Sequence, residues 1–88
     1  MAIFLIERNF AEQLDLSADD VREVNELNEE MGMKWLFSFL SADQKKTYCL
    51  YEAKDADALR EQARALGVPA DVIVEVSKLD PEAILAQA

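Results

Sequence analysis

The sequence predicts an α+β sandwich of four strands and two helices in the order β-α-β-β-α-β. Three observations carry that expectation: short apolar runs alternate with amphipathic helical patterns, a glycine follows each helical pattern, and one short polar loop joins the two middle runs. The first run, residues 2–8, is short, mostly apolar and bounded by Asn9, which reads as a strand. A connection over residues 10–16 leads to Ser17, which precedes Asp20 by three positions, the spacing of a capping box at a helix start. Val21, Val24, Leu27, Asn28 and Met31 then recur at helical intervals, with Arg22, Glu23, Glu26, Glu29 and Glu30 opposite. Gly32 is placed to end this helix in the left-handed conformation.

Residues 34–40 (KWLFSFL) are aromatic-rich, with Trp35, Phe37 and Phe39 in phase on one side. The polar stretch 41–45 joins them to a second extended run over residues 46–53, so the pair reads as a hairpin. Asp55 offers the next helix cap, and Leu59, Gln62, Ala63 and Leu66 form the stripe of the second helix. Gly67 stops it and Pro69 prevents its resumption. The β-branched run 72–76 is the fourth strand, and Asp80-Pro81-Glu82 starts one terminal helical turn. Right-handed crossovers turn this order into a single ferredoxin-like domain over residues 1–88, with antiparallel strand order 4-1-3-2 and both helices on one face.

Composition narrows the function. The 88 residues carry 18 acidic and 9 basic side chains, a net charge of −9, and no histidine. So acidic a chain is a poor ligand for nucleic acid or anionic membranes, and Lys45 and Lys46 are too few for a phosphate-binding footprint. Imidazole catalysis and imidazole metal ligation are excluded. The single cysteine, Cys49, cannot form an internal disulfide or a multi-cysteine metal site, and reads as a small core residue. The apolar start over residues 1–6 is too short for a signal core or a membrane span, so a cytoplasmic protein is expected.

Strand alternation sorts the side chains into two faces. Phe4, Ile6, Cys49, Tyr51, Val72, Val74 and Val76 form a set without a carboxylate and are assigned to the helix-covered side. Ile3, Leu5, Glu7, Tyr48, Leu50, Glu52, Ile73, Glu75 and Ser77 then face outward, an open face rich in apolar groups. A homodimer with stacked sheets would bury it; the alternative is a monomer with the tail Ala83-Ile84-Leu85 folded over it.

Glu7, Glu52 and Glu75 share the open face in this reading, on neighbouring strands. Glu7 and Glu52 are placed at similar heights, at the C-terminal ends of strands read as parallel. Three readings follow: a solvated rim, a divalent-metal site of oxygen ligands, or a carboxylate held protonated for acid–base work. The function expected is therefore a small dimeric binding module for a metal or small ligand. One alternative is a cofactor-free enzyme of the dimeric α/β-barrel type, using Glu52 or Glu75 as base and Tyr48 or Tyr51 as hydrogen-bond donor. The other is a structural or regulatory dimer that binds a protein through its acidic first helix.

The segments Thr47-Tyr48-Cys49-Leu50-Tyr51-Glu52-Ala53, Leu59-Arg60-Glu61-Gln62-Ala63, Leu66-Gly67-Val68-Pro69-Ala70-Asp71 and Val74-Glu75-Val76 resemble a family of small ferredoxin-like proteins. Glu7 and Trp35 extend the resemblance, which covers most of residues 2–79. Named members of that family are nickel-responsive, nickel-binding proteins of actinobacteria. The resemblance implies a ferredoxin-like fold, a homodimer and metal at the surface or dimer interface, with no established enzymatic activity. It points to Glu7, Glu52 and Glu75 as the metal residues. Where members often carry histidine, however, this chain has Gln62. Nickel favours nitrogen donors, whereas a carboxylate set suits magnesium, calcium or manganese.

Overall fold

The computed structural model describes residues 1–88. Its elements run β1 (Ala2–Asn9), α1 (Ala18–Glu30), β2 (Lys34–Leu40), β3 (Lys46–Ala53), α2 (Ala56–Leu66), β4 (Val72–Val76) and α3 (Pro81–Ala86). The four strands form one antiparallel sheet in the order β2-β3-β1-β4, the expected ferredoxin-like topology.

Local chemistry fixes the helix ends. The Ser17 hydroxyl accepts from the Asp20 amide while the Asp20 carboxylate accepts from the Ser17 amide, completing the capping box. Hydrogen bonding from the Ser17 amide, and then from the Ser17 hydroxyl, holds the Asp20 carboxyl below its ordinary value by favouring the charged form. α2 is capped by Asp55 and ends on Gly67, whose φ of 70° a side chain with a Cβ resists. α3 starts with Asp80 as cap and Pro81 at its first position, yet none of its residues is buried. The tail therefore does not cover the open face: Ile84 and Leu85 themselves remain exposed.

The core lies between the sheet and α1/α2. Phe4, Ile6, Cys49, Tyr51, Ala53, Leu59 and Met33 are its buried apolar members. On β1 and β3 the expected alternation holds, because Phe4 pairs with Tyr51 and Ile6 with Cys49.

Three expectations need correction. First, β1 and β3 run antiparallel, so Glu52 pairs with Ile3 whereas Glu7 pairs with Tyr48, at the opposite end. Second, β4 has the reverse phase: Ile73 pairs with Ile6 and Glu75 with Phe4, so those two lie on the helix side. Val72 and Val74 instead face outward and stay exposed. A short edge strand, apolar in both parities apart from one glutamate, has no sequence signal for its phase; pairing with β1 decides it. Third, a register shift between Trp35 and Phe37 breaks the alternation of β2. Trp35 pairs with Tyr51 on the helix side, whereas Phe37 and Phe39 pair with Leu50 and Tyr48 on the open side.

Candidate functional site

The three glutamates singled out by sequence do not converge. Glu7 and Glu52 share the open face but stand four register positions apart, roughly 14 Å along the strands. Glu75 is on the other face. Glu7 has instead a cationic neighbour, with Lys46 Nζ at 3.6 Å. That ammonium also sits 5.1 Å from the centre of the Tyr48 ring, and hydrogen bonding to Tyr48, then the charge of Glu7, raises the pKa of Lys46. No three His, Cys, Asp or Glu side chains come close enough to hold a metal ion. With no histidine and one buried cysteine, the chain offers nickel no imidazole and no exposed thiolate.

Of the two concave features of the fold, the apolar one lies on the helix side, and the other, between α1 and the start of β2, is lined mostly by polar residues. A cavity of about 180 Å³ opens between the sheet, the flank of α1, the end of α2 and the 10–16 connection. The register shift in β2 supplies one wall, Trp35, with Ser38 and Leu40 further along the strand. The connection supplies Phe10, Leu14 and Leu16. It is pinned over the pocket by backbone bonds from Phe10 to the Lys45 carbonyl and from Leu14 to that of Gln44, each 2.8 Å. Val24 of α1, with Leu66 and Val68 at the end of α2, completes the apolar lining.

The floor is polar in an unusual way. Arg8, Thr47, Cys49 and Tyr51 are all nearly fully buried on adjacent strands. Arg8 is only 4% exposed, yet it takes part in no ion pair. Its Nη1 donates to the Pro69 carbonyl at 2.6 Å and its Nη2 to Gln62 Oε1 at 3.4 Å. Behind it, Gln62 Nε2 donates to Asn28 Oδ1 at 2.8 Å and to the Tyr51 hydroxyl at 3.0 Å. Asn28 Nδ2 reaches the same hydroxyl at 3.4 Å. Burial raises the Tyr51 pKa, outweighing the opposing pull of Asn28, Gln62 and Arg8, so the phenol stays protonated at neutral pH. The Tyr51 ring stacks parallel to Trp35 at 6.3 Å between centroids, and Trp35 Nε1 donates to Ser38 Oγ at 2.8 Å.

Of the catalytic groups considered from sequence, Tyr51 lines this cavity; Tyr48, Glu52 and Glu75 do not. At the end of its strand, Arg8 carries one sequence signal, its alternation with Phe4 and Ile6. That phase already placed it on the covered side.

Residues 4–76 match the family described as nickel responsive protein SCO4226-like. Among solved structures, that of SCO4226 from Streptomyces coelicolor is similar over 90% of this chain and 100% of its own, with a TM-score of 0.69 and 18% identity. At that identity the likeness establishes the fold alone. No curated protein matches the sequence.

Proposed function

Because this chain belongs to the nickel responsive SCO4226-like family, whose name speaks of a response and of no reaction, we propose that it is a binding module whose ligand enters the cavity between sheet and helices. One observation carries the reading: ten of the thirteen residues around this cavity are hydrophobic, and none is acidic in a chain with 18 acids. The metal part of the expectation has less support, since Glu7, Glu52 and Glu75 lie apart in the strand register. Catalysis with Glu52 or Glu75 as base has less support too, since neither lines the cavity between helices and sheet.

The assembly we propose is a homodimer stacked on the open sheet face. Phe37, Phe39, Val72 and Val74 are 50%, 62%, 42% and 46% exposed there. Their patch is nearly charge-neutral: Glu7 is paired with Lys46, and Glu52 is in register with Lys34. A second copy can therefore cover it without bringing the net charges of −9 into close contact.

The sole tryptophan, Trp35, lines the cavity and reports on its filling. Small aromatic compounds and their carboxylates are expected to shift Trp35 emission and raise Tm, and Val24→Phe, which fills part of the space without adding a second indole, is expected to abolish both. If nothing in such a panel changes either reading, the cavity is a packing defect and the proposal is wrong.

A further inference from the structure

We propose that this cavity selects an organic anion, a compact apolar body carrying one carboxylate, and that Arg8 is the group that recognises the charge. The inference rests on the cavity being the ligand site and names what enters it. A guanidinium carries five N–H donors and is costly to bury unless an anion or a full set of acceptors meets it. Arg8 uses one donor well, on Pro69, and a second weakly, on Gln62. No carboxylate of the protein is within ion-pair distance of it.

The neighbouring groups are donors in excess as well. The Tyr51 hydroxyl accepts from both Gln62 and Asn28, while its own proton has no acceptor in the protein. Ser38 Oγ accepts from Trp35 and keeps its proton free in the same way. An uncompensated cation with unused N–H donors, in a cavity that no carboxylate lines, is complementary to an acceptor with a single negative charge. A phosphate, with more charge and more oxygens to satisfy, would leave some of both against the apolar walls. A carboxylate matches the planar fork of one arginine.

Size limits the rest of the molecule. A cavity of about 180 Å³ is slightly larger than the ~150 Å³ apolar cavity that accommodates benzene. The ligand body is then one aromatic ring or a short branched chain, of about ten non-hydrogen atoms with its carboxylate. Trp35, Val24 and Leu14 are the surfaces it would contact.

Matched acid and amide pairs test the charge requirement on the unmodified chain: benzoate with benzamide, phenylacetate with phenylacetamide, and 4-methylpentanoate with its amide, each titrated by calorimetry and Trp35 fluorescence. At least one acid is expected to bind about tenfold or more tighter than its amide, as loss of a buried charge-assisted bond implies. Arg8→Met is expected to erase that preference while the amide affinity changes by less than about threefold. Equal binding of acid and amide would overturn charge selection and leave the cavity reading standing. Binding of neither would overturn both. Because the wild-type comparison needs no substitution, a variant that folds poorly does not decide the outcome.

Discussion

Arg8→Met should make the unliganded protein more stable while disabling the site. The substitution keeps an unbranched stem and removes the guanidinium. What is lost is one short bond to the Pro69 carbonyl and one long bond to Gln62. A hydrogen bond to a charged group contributes about 1.5–3 kcal/mol, and at 3.4 Å the second contributes little of that. What is gained is release from holding a cation at 4% exposure with no acidic partner. That penalty is several kcal/mol per buried ion, and the thioether adds apolar contact in its place. Against this stands the buried Gln62 Oε1, left without its donor, so the balance favours methionine by about 1 kcal/mol. Urea unfolding followed by far-UV circular dichroism should show a higher midpoint at unchanged slope, and Tm should rise by about 4–8 °C per kcal/mol for a domain of this size. A loss of more than about 1 kcal/mol would refute the reasoning, because Arg8 would then be a net stabiliser held by its hydrogen bonds.

The remaining predictions concern the open face, the buried network, the alkaline limb and the metal. Phe39→Asp should weaken dimerisation strongly: 62% of a side chain that buries about 150–250 Å² represents roughly 2–4 kcal/mol per copy, so light scattering should show monomer at micromolar concentration. Asn28→Ala removes one of the two acceptors of Gln62 Nε2 and leaves a buried N–H unpaired, which should cost about 1–3 kcal/mol in urea unfolding. The folded pKa of Tyr51 is raised above its unfolded value near 10, so its contribution is full below pH 10 and is lost as pH rises through the folded value. A Tyr51→Phe protein compared with wild type between pH 9 and 12 should lack that part of the decline; parallel curves would show that Tyr51 is not its source. Nickel, manganese, magnesium and calcium should each bind no tighter than about millimolar, and Glu52→Gln should change nothing, because the carboxylates are dispersed. Micromolar affinity abolished by Glu52→Gln would restore the metal reading.

The placement of the glutamates shows where sequence reasoning stopped. Glu7, Glu52 and Glu75 are each identifiable as charged residues in apolar strands. The predicted antiparallel order already sets β1 against β3, so Glu7 and Glu52 belong at opposite ends; what no single strand encodes is the register of that pair and the phase of β4. Trp35 and Phe37 show the same limit, since one bulge sends side chains two positions apart, in phase by sequence, to opposite faces. Gln62 and Asn28 were legible as members of helical stripes. That they would be the buried polar partners of Tyr51, and that Gln62 would support Arg8, required the packing of both helices on the sheet.

The sequence by itself determined the element order, the helix caps, the strand order and the apolar character of both sheet faces. All of these follow from local periodicity, capping chemistry and the handedness of crossovers. It also determined what is absent, since no fold can supply a histidine the chain does not contain. The tertiary structure decided where charge meets cavity. Whether a side chain is paired, spare or exposed depends on neighbours distant in sequence, such as Arg8 with Pro69 and Gln62, separated by 61 and 54 positions. That packing moved the candidate site from three dispersed carboxylates on the open face to one buried cation beneath the helices.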